Sequence, residues 1–386
     1  MMRIFATVSL LVLVASLVGC NTSAGTFSDT AALRVGGQPF FPLMNFYQSP
    51  ASFDNAAKMG LNAYFMPGSK PAPKEYLDAL HQKGLYGIVP FDAAAVGHPA
   101  LLAWVLPHEP DSAFLINKKP EMSPEKMAEA YAAIKKADPT HPVVLDLSPE
   151  FMSRAEFAQT LTAEQKREFY PAYALAADIL TYNVYPVWGK NKPEKIDWVA
   201  EAADDLKALV GPRKPFFAMI ETTTGWREIK PEDQKPLTMA DIRAEVWMAI
   251  THGAKGIIYF THRFKPTFSE HGIDDARRAE LRTLNEQITR LAPAILGPEA
   301  AVATKLTIEN GLAASLLARE HQGELYLFAQ NIDMERRSGL GTITVAGLKA
   351  GTTIEVVDEN RTITAADGRF TDHFAPLAVH VYRMKL

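Results

Sequence analysis

Eight short apolar runs alternate with eight longer helical stretches between Gln38 and about Pro293, and this alternation constrains the chain more than any other feature. The runs are Phe40 to Phe46, Leu61 to Met66, Leu85 to Phe91, Leu101 to Leu106, Val143 to Leu147, Ile179 to Val184, Phe216 to Ile220 and Gly256 to Phe260. Strands that follow one another through helices lie parallel, and buried parallel strands read as continuous apolar runs. Eight of them close a (β/α)8 barrel, expected here over residues 34–296.

Local signals bound the helices. Ser123-Pro124 joins a capping oxygen to a proline at the first helical position, where the missing N–H costs nothing. Thr162 with Gln165 fits a capping box, and Thr238 with Asp241 is a weaker form of it. Gly84, Gly211 and Gly253 stand where helices should stop. Leu281, Leu284, Ile288 and Leu291 make an apolar stripe on the last helix, read as core packing.

After Leu296-Gly297-Pro298 the pattern changes to short alternating stretches, Leu325 to Ala329, Thr352 to Val357 and Leu377 to Tyr382. Turn residues such as Glu359-Asn360 and Asp367-Gly368 separate some of them, which predicts a small antiparallel β-sandwich over 297–386, packed on the barrel flank. No exposed aromatic triplet marks it as sugar-binding.

The other end of the chain speaks to location. Arg3 precedes an apolar stretch from Val8 to Val18 that is short for a membrane span and reads as a secretory signal, residues 1–20. It closes on Leu17-Val18-Gly19-Cys20, a bacterial lipobox pattern that makes Cys20 a lipid attachment point and the membrane a partner. Residues 21–33, rich at first in Ser, Thr, Gly and Ala, read as a flexible tether. Cys20 is the only cysteine, so the mature chain has no disulfide, thiol nucleophile or thiolate metal site.

Charged residues make up 22% of the chain with a formal net charge of -4 and no strongly basic stretch, which argues against a nucleic-acid partner. The ten histidines form no HxH or HExxH arrangement, and no glycine loop suited to phosphate precedes a helix, so no metal or cofactor is expected. The chain is read as a monomer.

Catalytic groups of such a barrel lie at the C-terminal ends of the strands. There stand Asn45 and Tyr47, Asp92, Glu109 and Asp111, Asp146, Asn183 and Tyr185, Glu221, and His262 with Arg263. Strand four runs into Pro107-His108-Glu109-Pro110, and strand seven ends at Glu221. Retaining hydrolysis of a glycosidic bond needs two carboxyl groups about 5 to 5.5 Å apart, one protonated and one ionised. Strands four and seven lie across the mouth from one another, so their glutamates can flank a sugar. Asn183 and Tyr185 share a side by the two-residue period, and Tyr185 is placed to hydrogen-bond the nucleophile. His262 and Arg263 can hold sugar hydroxyls, Asn45, Asp92 and Asp146 can do the same, and Trp188 and Trp226 can stack on a sugar face. Asp111 is read as a cap for the segment after strand four.

The order of elements, with Glu109-Pro110 after strand four and Glu221 ending strand seven, resembles the glycoside hydrolase clan A superfamily. His98-Pro99-Ala100-Leu101-Leu102-Ala103-Trp104 and the ending Phe374 to Tyr382 look like bacterial members of it. The resemblance implies Glu109 as acid/base, Glu221 as nucleophile and an extracellular or periplasmic poly- or oligosaccharide as substrate. Two departures stand out. His108 occupies the position where clan members usually carry asparagine, and no arginine ends strand two. Histidine can still donate one hydrogen bond to a sugar there. Two further readings stay open: a catalytically silent surface glycan-binding lipoprotein, and a glycosyl-transferring enzyme with the same nucleophile.

Overall fold

The computed structural model describes residues 26–27, 33–68, 71–112, 122–154, 156 and 161–385. The signal segment, Cys20 and most of the tether lie outside them. Eight parallel strands close a barrel: β1 (Leu43–Gln48), β2 (Ala63–Pro67), β3 (Tyr86–Pro90), β4 (Leu101–Val105), β5 (Val143–Leu147), β6 (Ile179–Asn183), β7 (Phe216–Glu221) and β8 (Ile257–Phe260). Adjacent strands pair in chain order and β8 pairs with β1.

Side chains alternate between two cores. Met44, Phe65, Ile88, Val144, Ile179, Phe217, Met219 and Ile258 fill the barrel interior. Leu43, Tyr64, Val89, Leu145, Leu180, Ala218 and Tyr259 face the helices. Both faces are buried, which is why the strands read as uninterrupted apolar runs.

The helices are α1 (Asp54–Met59), α2 (Pro73–Gln82), α3 (Pro124–Ala137), α4 (Ala163–Leu175), α5 (Trp198–Val210), α6 (Met239–Thr251) and α7 (Asp275–Ile295). Ser123 Oγ accepts from the Lys126 N–H, and both capping boxes are reciprocal, Thr162 with Gln165 and Thr238 with Asp241. Gly84, Gly211 and Gly253 all take positive φ where their helices end.

Two departures from the sequence reading concern the first half of the barrel. No helix separates β3 from β4; a 3-10 turn, Ala93–Ala95, does the work, capped by Asp92 Oδ1 accepting from the Ala94 N–H. The ten residues between those strands include Gly97 and Pro99 and are too few for a helix with its two turns. Asp92 is therefore a capping residue. The first apolar run also splits: Gln38–Phe40 joins a small N-terminal antiparallel sheet, and β1 starts only after Pro42. Proline has no N–H to donate to a ladder, so the run breaks there.

The C-terminal region forms two antiparallel sheets around a shared core of Leu327, Ile343, Val356, Phe370 and Tyr382. One sheet pairs Thr304–Ile308, Gly339–Val345 and Arg369–Phe374; the other orders Ala314–His321, Glu324–Asn331, Val379–Met384, Thr353–Val356 and Arg361–Thr364. It docks on the barrel flank through α6: Phe328 stacks on Trp247 at 5.9 Å, the Gln330 side chain donates to the Ala244 carbonyl, and Arg336 pairs with Asp241 at 2.6 Å.

Candidate active site

The end of β4 builds the most polar part of the mouth. The chain leaves the strand through Leu106-Pro107-His108, and Glu109 turns it with φ of 44°, a left-handed conformation that a non-glycine residue adopts at a cost. Its N–H donates to the Asp146 carbonyl on β5, which fixes the turn. Tyr47 and Met66, at the ends of β1 and β2, also take positive φ. Three strand ends of this rim thus carry left-handed residues, while most of the other such residues lie in the C-terminal region.

Glu109 remains partly open, its side chain 25% accessible. Asn183 Nδ2 donates to Glu109 Oε1 at 2.6 Å, and His108 Nε2 lies 3.9 Å from the same oxygen. His108 Nδ1 meets Asp146 Oδ2 at 2.5 Å, while Thr181 Oγ1 donates to Asp146 Oδ1. Burial opposes charge on His108, but Asp146 overrides it and, with Glu109 and Asp111, lifts the imidazole to about 9. Glu109 is raised above the ordinary carboxylate range, first by burial and then by the Asp146 charge, against the opposing pull of His108 and Asn183. A carboxyl whose charged form is disfavoured, at a solvent-reachable strand end, is suited to a general acid.

Asp111 anchors the segment behind Glu109. It accepts from the Ser148 N–H at 2.9 Å, from Ser148 Oγ at 3.0 Å and from the Tyr170 hydroxyl at 2.9 Å. It caps the turn after β5 and ties it to the segment after β4. Burial pushes it up to about 7.

The end of β7 is built differently. Glu221 is fully buried, with Oε1 accepting from the Val187 N–H at 2.8 Å and Oε2 accepting from the Trp188 N–H. Glu245 on α6, also fully buried, faces its carboxyl. Burial raises both acids above the ordinary range; Glu221 adds to the difficulty Glu245 has in ionising, whereas Glu245, as a donor, eases the ionisation of Glu221. The groups acting on Glu221 are Val187, Trp188, Glu245 and Asp241; those acting on Glu109 are His108, Asp146 and Asn183. The two glutamates occupy separate microenvironments under one rim.

Aromatic rings roof the β7 end. Trp188 packs on Phe260 at 4.6 Å and on Trp226 at 4.5 Å, and its indole N–H donates to the His262 carbonyl. Arg227 stands over the rings of Trp226 and Phe264. Trp188 is thus a packing residue in this structure, whereas Trp226 keeps partial exposure.

Several expected substrate contacts are spoken for by the protein itself. Asn45 lies on the helix-facing row of β1, accepts from the Phe46 N–H and from Thr261 Oγ1, and sits 3.5 Å from His271. It braces the loop after β8 and does not reach the mouth. Tyr185 donates its hydroxyl to Met219 Sδ at 2.8 Å, and not to Glu221. His262 is buried and bonds the Tyr47 carbonyl at 3.1 Å. Arg263 forms a backbone bridge with Ser269, and its Nε has no partner. Asp146 supports His108 from a fully buried position. Glu245 was not foreseen; its only signal is a lone acid among Ala244, Val246, Trp247 and Met248.

Among the described residues, His108, Glu109 and Asp146 are the one group whose donor atoms lie close enough together for a metal ion, within 4.8 Å. The 2.5 Å contact of His108 with Asp146 is an ion-pair distance and too short for two ligands of one ion.

The chain thus combines an eight-stranded parallel barrel, with glutamates at the ends of strands four and seven, and a C-terminal β-domain. Residues 121–289 match the family model of glycoside hydrolase family 42, described as Beta-galactosidase, a stretch that contains Glu221 and not Glu109. Among solved structures, AmyP in complex with maltose shares 10% identity over 86% of this chain and 88% of that one, with a TM-score of 0.52. The α-L-arabinofuranosidase from Thermotoga maritima, in its arabinose complex, shares 11% identity over 87% of this chain and 90% of that one, with a TM-score of 0.50. Likeness at these identities speaks for the fold alone. No curated protein matches the sequence.

Proposed function

We propose that the chain is a retaining glycoside hydrolase in which Glu109 is the acid/base and Glu221 the nucleophile. The observation that carries the reading is the state of Glu109: a partly accessible carboxyl, raised by burial, and oriented by Asn183 at the end of β4. Glu109 would protonate the leaving oxygen and later activate water, while Glu221 would attack the anomeric carbon. The Val187 and Trp188 N–H groups would favour the ionised form of Glu221. Both oxygens are engaged there, so attack requires the 185–188 segment to yield at least one of these bonds. His108 would take over the usual asparagine's contact with the sugar.

The family description makes β-galactosides the first substrates to try. Proton NMR of the first-formed product reads the stereochemistry, with retention expected. A 2-deoxy-2-fluoroglycoside should trap a covalent adduct on the peptide holding Glu221. An inverted product, or an adduct on another residue, would sink the assignment.

We further propose that the protein is exported and held to the cell envelope by lipid on Cys20, with a tether preceding the barrel. The reading rests on Leu17-Val18-Gly19-Cys20. Cys20→Ser should move the protein from the membrane fraction to the soluble one; unchanged fractionation would refute the anchor. No helix among the described residues is long and apolar enough to cross a membrane.

A further inference from the structure

Glu245 is the acid in this molecule with the least reason to be where it is. It lies midway along α6 in a run of buried residues, fully inaccessible, and neither carboxyl oxygen has a well-formed hydrogen bond. A buried carboxylate without a partner costs far more than an apolar side chain of the same volume, so such a group is retained only as the neutral acid or beside a group that needs it. The group it faces is Glu221.

Nothing else nearby neutralises the pair. Asp241, one turn earlier on α6, already pairs with Arg336 of the C-terminal region. Tyr182 on β6 donates its hydroxyl to the Val199 carbonyl, and Tyr185 is committed to Met219. Asp204 on α5 bonds His252 and Lys207. Among the described residues, no lysine or arginine pairs with Glu221 or Glu245. Two carboxyl groups enclosed together without a cation settle the conflict by holding one proton between them.

We infer that Glu245 is a positioning residue for Glu221: from α6 its neutral carboxyl donates to the Glu221 carboxylate, while the Val187 and Trp188 N–H groups donate from the loop after β6. Three donors from two elements then fix the strand-seven carboxylate. The second acid sets the pH at which that carboxylate becomes available. The inference rests on the reading of Glu221 as nucleophile, and the test separates the two.

Chemical denaturation of the full chain between about pH 5 and pH 8 measures the pair without any substrate. The native state binds the shared proton more tightly than the unfolded chain, so stability falls as pH rises above the unfolded carboxylate range. Glu245→Gln keeps the shape and a donor but removes the titration, and should flatten that fall. In the same variant the acid limb of kcat/KM should stay within about half a pH unit, because a donor to Glu221 is kept, with the plateau preserved within about threefold. Glu245→Leu removes the donor and should lower kcat about tenfold or more with KM little changed. Stability curves of wild type and Glu245→Gln that coincide overturn the inference whatever the activity. A flattened curve supports the pair, and if the wild type then hydrolyses no glycoside, only the nucleophile reading falls.

Discussion

The ends of β4 and β7 carry the same residue type and solve opposite problems. Glu109 stands in a left-handed turn, partly open to solvent, with a cation, an amide and a buried carboxylate arranged around it. Glu221 stands at the end of a regular strand, closed off by Trp188 and engaged by backbone N–H groups and a second acid. Both acids are raised, Glu109 by burial and the Asp146 charge, Glu221 by burial and the Asp241 charge. Only at Glu109 is a neighbouring cation pulling the other way. The difference teaches that a glutamate's role is written less by its strand number than by whether the charge beside it opposes or assists its proton.

The most severe test of that contrast is removal of each acid in turn. Glu109→Gln should lower kcat by about 10²- to 10⁴-fold on a substrate with a poor leaving group, and much less where the leaving group needs no proton. Glu221→Gln should be equally damaging on both kinds of substrate. Steady-state kinetics on an activated aryl glycoside and on a disaccharide supply the comparison; if the two variants behave alike, the division of roles is wrong.

Next in size is the frame behind Glu109. Asp111→Ala leaves the buried Ser148 N–H and the Tyr170 hydroxyl without their acceptor, which should cost about 2 to 4 kcal/mol of stability in urea denaturation. Asp111 also gives a signed pH effect: it is raised to about 7 in the native state, so its contribution is lost as pH climbs from the ordinary carboxylate range through about 7. That decline should be missing from Asp111→Asn.

Much of this frame was legible in the sequence because it rests on local rules. The eight runs, the capping boxes at Thr162 and Thr238, and the glycines closing helices each follow from backbone hydrogen bonding within a few residues. What escaped is set by contacts between distant segments. The roof of Trp188 over Glu221 requires the loop after β6 to fold across β7. Asn45 was misread because β1 runs on to Gln48, past the end of the apolar run at Phe46, and Asn45 shares the helix-facing row with Leu43. Glu245 appears in sequence as one acid in an apolar helix, and only packing shows which carboxyl it meets.

A smaller effect is expected at His108, which stands where the resemblance implies asparagine. Its imidazolium, held by Asp146 up to about pH 9, pulls Glu109 toward ionisation. His108→Asn restores an amide and removes that charge. Glu109 should then keep its proton to higher pH, moving the alkaline limb of kcat/KM upward, with the maximum changed by less than about tenfold. A limb that moves downward would show that the imidazolium does not act on Glu109.

The smallest effect separates the two strand ends most finely. Tyr185 sits two residues beyond β6, where a phenol could be expected to steady the Glu221 carboxylate, yet its hydroxyl donates to the Met219 sulfur. Sulfur is a weak acceptor, so this bond holds the ring more than it serves any charge. Tyr185→Phe should therefore leave kcat/KM within about twofold and stability within about 1 kcal/mol, since a phenyl ring keeps the contacts with Trp188 and Phe260. A loss of tenfold or more would mean that the hydroxyl turns to Glu221 during turnover. In that event the 185–188 segment moves as a unit, releasing the Trp188 N–H while Tyr185 takes its place on the carboxylate.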